Sequence, residues 1–183
     1  MTINIHGGII MLLQDIRNRH DVHIIFAAVV AACVVDTAGL FVWRRYPKNA
    51  SISKWYDNFG LVAYMLDVTS IVIGVRLTQL AYGFVSSKWS VLLFCALAIV
   101  VQQIHDIVFA TLIVPNIEKN RVFDVLQSSV GNSESWKILV VDAVYMVLAS
   151  LLTMYLAGQK TWMSASLLIT TLYITGYALY IHA

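Results

Sequence analysis

Five apolar stretches dominate the chain, near Val22–Trp43, Asn58–Phe84, Trp89–Val114, Lys137–Ala157 and Trp162–His182. Each approaches the roughly 20 residues that a helix needs to cross about 30 Å of hydrocarbon. A membrane strand would need only about 10 residues and would alternate apolar with polar positions, which these runs do not. The expected fold is therefore an all-α, polytopic membrane helix bundle with five transmembrane helices. Composition agrees. Of 183 residues, 60% are hydrophobic and 12% charged, and the mean hydropathy of +0.77 lies outside the soluble range. Trp43, Trp55, Trp89, Trp136 and Trp162 all fall at predicted span ends, where indole rings favour the membrane interface.

The chain divides into an N-terminal interfacial segment, residues 1–21, and a five-helix domain, residues 22–183. Within Met1–Arg19 the run IIMLLQDI reads as a short amphipathic helix lying on the membrane. Ile117–Gln127 reads the same way, with Val122, Val125 and Leu126 opposed to Glu118, Lys119, Arg121 and Asp124. The first apolar run, Ile9 to Leu13, is too short for a secretory signal and has no basic leader, so the first span is expected to serve as its own insertion signal. A net charge of +2, without a long basic run, excludes a nucleic-acid partner. The lipid bilayer is the expected partner. Cys33 and Cys95 both sit in apolar runs and read as separate buried thiols.

Loop charge sets the expected orientation. WRRYPKNASISKWYD and PNIEKNRVFDVLQSSVGNSESWK together hold seven Lys and Arg, against four on the opposite side, Arg17, Arg19, Lys88 and Lys160. The positive-inside rule then puts these two loops and the C-terminus in the cytoplasm and the N-terminus outside. The acceptor motif Asn49-Ala50-Ser51 would face the cytoplasm and remain unmodified.

Four of the five spans carry one aspartate each: Asp36, Asp67, Asp106 and Asp142. A charged residue at membrane depth costs roughly 3 kcal/mol on insertion scales. At ~1.5 Å per residue, the four lie about 10, 14, 14 and 8 Å from the cytoplasmic ends of their spans, so they share one layer. Helical spacing puts each on a face of small or polar residues. These faces are Ala28, Ala32, Asp36 and Gly39; Gly60, Tyr64, Asp67, Gly74 and Thr78; Ala98, Gln102, Asp106 and Ala110; and Asp142, Tyr145, Ala149 and Thr153. The fifth span offers Thr170, Tyr173, Tyr177 and Tyr180. Asp142 is the closest to the interface and the weakest member of the set. His105, Gln102, Gln103, Tyr64 and Tyr145 complete an expected polar lining. Arg76, about 14 Å further out than Asp67, is the outer-side charge, read as a snorkelling or paired residue before an anion site.

Without a lysine or arginine in the layer, four carboxylates and one imidazole need protons or a bound cation to offset them. That chemistry suits a proton relay, or a divalent cation held by Asp36, Asp67, His105, Asp106 and Asp142. No H-E-x-x-H motif, Walker loop or G-x-S-x-G elbow is present. Only one histidine is deep in a span, which excludes bis-His haem.

WYDNFGLVAYMLDVTSIVIG and VQQIHDIVFATLIVPNIEKNRVFDVLQ resemble uncharacterised multi-span membrane proteins encoded by large DNA viruses of algae and related hosts. The resemblance runs over residues 54–157 and includes Asp67, His105, Asp106 and Asp142. It implies a viral membrane protein and brings no activity with it. Three functions follow as expectations. The first is a cation- or proton-coupled transporter or channel. The second is a metal-dependent membrane enzyme acting on a lipid or isoprenoid. The third is a structural subunit of a membrane or virion complex. A unit this small can also complete a pore as a homo-oligomer.

Overall fold

The computed structural model describes residues 13–45, 50–116, 124 and 135–180. Ile117–Gln127 (Asp124 apart), Asn49, the first half of the IIMLLQDI run and the end of the fifth expected span lie outside the described residues. The described chain is helical, with no strand. Its helices are α1 (Val22–Arg45), α2 (Ala50–Phe59), α3 (Leu61–Val85), α4 (Val91–Val108), α5 (Ser135–Ala157) and α6 (Thr161–Ala178). By length and composition, four segments can cross a membrane: Val22–Arg45, Leu61–Val85, Val91–Asn116 and Ile138–Ala157. The fifth expected span appears as α6, an 18-residue helix that is not among those four, because Ser, Thr and Tyr dilute its apolar character.

Local chemistry sets the helix ends. The Asp21 carboxylate accepts the His23 N–H at 2.8 Å and caps the start of α1. Arg44 and Arg45 close its last turn, where positive charge meets the dipole favourably. Ser90 caps α4 through the Leu93 N–H. After Val108 the α4 backbone widens into a π turn, Phe109–Ile113, and then tightens into a 3-10 turn, Val114–Asn116. Pro115 lacks an N–H and crowds the carbonyl four residues back, and a widened turn relieves that crowding.

Helices α1, α3, α4 and α5 form a closed ring, each packed on the next, with α3 also touching α5 across it. α6 packs outside the ring along α1, which is accordingly the most buried span. Small residues let α1 and α5 approach closely: a Cβ on Gly39 would run into the Tyr145 ring. The other faces of α3, α4 and α5 expose Leu66, Ile73, Leu92, Ile104, Val140 and Val144, as expected of lipid-facing helices.

Three elements differ from the sequence reading. WRRYPKNASISKWYD contains α2 rather than a plain loop, and it buries Trp55 and Tyr56. Trp55 is thus a core side chain rather than part of an interfacial belt. The described end of the N-terminal segment, residues 13–21, is not helical. It is a strap across the Lys88 end of the bundle. Its Gln14 N–H donates to Met154 O at 3.1 Å, Gln79 Nε2 donates to Ile16 O at 2.5 Å, and Ile16 is fully buried beside Tyr82, Phe94 and Met154. Partial burial pushes the Asp15 carboxyl up, but the Arg17 guanidinium bonded to it outweighs this and holds it below the usual carboxylate range. Finally, α6 turns Ser164, Thr171, Thr175 and Ala178 inward, and exposes the expected packing stripe of Thr170, Tyr173, Tyr177 and Tyr180. Polar residues lie on both faces of this helix, so spacing alone did not choose between them.

Gly39→Ala is expected to destabilise the detergent-solubilised protein by about 1–3 kcal/mol through overpacking against Tyr145, read as a lowered thermal unfolding midpoint. Gly83→Ala, with open space around its Cβ, is the control and should leave the midpoint unchanged.

Candidate functional site

Each ring helix carries one of the aspartates: Asp36 on α1, Asp67 on α3, Asp106 on α4 and Asp142 on α5. Counting at ~1.5 Å per residue from the helix ends Arg45, Leu61, Asn116 and Ser135, they lie about 14, 9, 15 and 10 Å from the Arg44 end of the bundle.

Asp67 is the best satisfied. Its Oδ2 accepts Trp55 Nε1–H at 3.0 Å and the Tyr56 hydroxyl at 2.8 Å, both from α2. Burial first, and then the carboxylates of Asp36 and Asp67, push the Tyr56 hydroxyl well above the ordinary tyrosine range, so it stays protonated and able to donate. Tyr56 also lies 3.4 Å from Asp36 Oδ1. One hydroxyl has one proton to give, and the shorter bond is to Asp67. Asp36, only 2% exposed, is left with a long contact on one oxygen and no partner on the other.

Asp106 has its own pair of neighbours. Its Oδ1 accepts Gln102 Nε2–H at 2.6 Å and lies 3.1 Å from His105 Nδ1, while its buried Oδ2 has no partner. The imidazole stacks on Phe109 with ring centroids 6.0 Å apart. The π turn begins at that phenylalanine, so the widened backbone lies directly beyond the His105–Asp106 pair. Gly74 makes room for Gln102: a Cβ there would stand 3.2 Å from Gln102 Oε1 and 2.8 Å from Met146 Sδ.

Asp142 joins the two groups. It lies within electrostatic range of Asp106, Asp67 and His105, and of Asp36. The acid nearest the interface on the sequence reading thus sits on the helix that touches α1, α3 and α4 at once. Tyr145, one turn along α5, sits within range of Asp36, Asp142 and Asp67.

Two of the expected lining residues, Tyr64 and Gln103, lie away from the acids, and the outer-side Arg76 is paired. Tyr64 is fully buried, but its hydroxyl meets Cys33 O at 3.2 Å and Thr37 Oγ1 at 3.1 Å. Thr37 in turn meets Thr175 Oγ1 at 2.7 Å. Tyr64 thus knits α3 to α1 and α6 and does not line the acids. Gln103 turns into the seam between α4 and α5, where its Nε2 donates to Leu139 O at 3.0 Å. Arg76 is a structural residue: Nη1 bonds Gln79 Oε1 at 2.5 Å and Nη2 bonds Arg19 O, which fastens the strap.

Trp55, Tyr56 and Arg44 were missed as contributors. Arg44, counted in the sequence as a loop charge, is buried. It pairs with Asp57 at 2.5 Å and donates to Leu179 O at 2.8 Å. The available signal was the amphipathic spacing of Ile52, Trp55, Tyr56 and Phe59 in the segment assigned to a loop.

Among the described residues, no three His, Cys, Asp or Glu side chains converge as ligands for a metal ion. Among these residues the expected divalent cation finds no ligand cage: Asp67 bonds to Trp55 and Tyr56, and Asp106 to Gln102 and His105. Comparison with protein-family models, curated proteins and solved structures finds no match. The class follows from the molecule itself: four long apolar helices fit a multi-pass membrane protein, here with a carboxylate-rich interior.

Tyr56→Phe removes the better donor to Asp67 and the nearest polar neighbour of Asp36. It is expected to lower stability by about 1–3 kcal/mol, measured by thermal unfolding in detergent.

Proposed function

We propose that this chain conducts or couples protons across a membrane, with the carboxylates of Asp36, Asp67, Asp142 and Asp106 and the His105 imidazole as the relay. The observation that carries this reading is the pair of buried, unpartnered carboxylate oxygens, Asp36 Oδ2 and Asp106 Oδ2, with Asp142 on the helix that packs against both α1 and α4. Carboxylates that share an apolar interior cannot all be ionised, and intramembrane acids in chains are the usual elements of proton relays. A proton relay needs no three-ligand cage, and water can carry a proton between acids that lie beyond direct hydrogen-bonding distance, so this arrangement favours a proton over a larger cation and over metal-dependent catalysis on a lipid.

The membrane topology belongs to the same proposal. α6, about 27 Å long at 1.5 Å per residue, would be a fifth span, packed along α1. The Arg44 end would face the cytoplasm, on the loop charges already described. The structural-subunit reading has support from Asp67 alone, whose two aromatic donors make it a tie between α2 and α3.

In sealed vesicles under an imposed potential, the purified protein should carry protons, read with an internal pH dye. Asp67→Asn and Asp106→Asn should each lower the rate about tenfold or more, as expected of relay acids. Equal flux in wild type and both variants would overturn conduction and leave the acids as interhelical ties.

A further inference from the structure

The geometry points to α2 as a hinged lid over the acids at the Arg44 end, with Gly60 as pivot, Tyr56 as plug and Arg44–Asp57 as latch. This deepens the conduction reading and rests on it, since a relay needs a controlled opening to water.

Four observations converge. Helices α2 and α3 would be one continuous helix but for Gly60, whose φ of 48° and ψ of −118° are accessible in practice to glycine alone. Gly60 is the one residue with positive φ among those described. A Cβ there would meet nothing closer than Tyr180 Oη at 3.9 Å, so glycine is required for its conformation and not for space. Second, α2 reaches the acids through polar atoms. Trp55 Nε1 and Tyr56 Oη both end on Asp67, and such bonds can be exchanged for bonds to water. Third, the opposite face of α2 carries exposed Lys54, Asp57 and Asn58, so no described element covers the lid there. Fourth, the ion pair that holds α2 to α1 is lopsided. Arg44 is 7% exposed and Asp57 56%. Arg44 also keeps a bond to Leu179 O, so it stays anchored when Asp57 departs. When α2 swings on Gly60, Tyr56 withdraws, and Asp67 and the unpartnered Asp36 Oδ2 face water.

The test uses the full chain in lipid nanodiscs with Cys33→Ala and Cys95→Ala, and Asp36→Cys as reporter. That reporter leaves both α2 bonds to Asp67 intact. It is labelled from water with a small charged methanethiosulfonate reagent. Adding Asp57→Ala should speed labelling about fivefold, the weight of one partly exposed ion pair. Asp15→Ala, which breaks the ion pair with Arg17 on the strap at the other end, should not. Hydrogen exchange on the chain with native cysteines supplies a second measurement. Asp57→Ala should accelerate exchange of the α2 amides while those of α1, α3 and α5 stay protected. Unchanged labelling and exchange, or acceleration spread evenly over the bundle, would overturn the lid. Neither measurement uses flux. A lid that opens in a chain that carries no protons removes the conduction reading alone. Conduction that depends on Asp67, with no effect of Asp57→Ala on labelling, removes the lid alone.

Discussion

Carboxylates placed among apolar helices are the constraint on which the rest of this molecule depends. Each costs roughly 3 kcal/mol to insert, and the fold offsets that cost unevenly. Asp67 receives two aromatic donors from outside its own helix. Asp106 receives an amide one turn back on the same helix, together with its neighbouring imidazole. Asp36 receives almost nothing. A bundle built only for stability would fill such positions with apolar side chains, and the unevenness leaves Asp36 Oδ2 and Asp106 Oδ2 buried without a partner, which is the ground of the proposed proton relay.

The two ends of the ring are closed by different chemistry. At the Lys88 end the strap seats Ile16 in an apolar cluster with Tyr82, Phe94 and Met154, and its backbone is tied to Gln79 and Arg76. An apolar plug of this kind excludes water and opens only by losing packing. At the Arg44 end the closure combines the packed rings of Trp55 and Tyr56 with polar groups that can trade their partners for water. Between the ends, small residues let neighbouring side chains enter the interior: Gly39 admits the Tyr145 ring, and Gly74 admits Met146 and Gln102.

Much of the architecture was legible as a pattern of hydropathy. The cores of four spans, and the presence of one aspartate in each, follow from counting residues against the thickness of hydrocarbon. The fifth stretch was less legible, because α6 mixes Ser and Thr on its inner face with Tyr on its outer one. The polar lining was harder again. Tyr64 and Asp67 are three residues apart on one helix and still serve different networks, since α3 faces α1, α2, α4 and α5 along its length and a few tens of degrees of rotation separate these neighbours. Gln102 and Gln103 diverge because adjacent residues of a helix point about 100° apart.

By itself the sequence determined the helical class, the apolar spans and the residues of opposed chemistry inside them, because these depend on length and composition read locally along the chain. Only the tertiary structure decided which groups meet. A basic, tryptophan-containing stretch between spans became a helix that returns Trp55 and Tyr56 to the acids. Arg44 turned inward to hold Asp57 and the end of α6. Asp142, the acid nearest the edge in sequence, came to lie on the helix that packs against those of the other three carboxylates. The amphipathic spacing of α2 is local, but which groups it and the other helices meet depends on adjacency and rotation, which packing between distant segments sets.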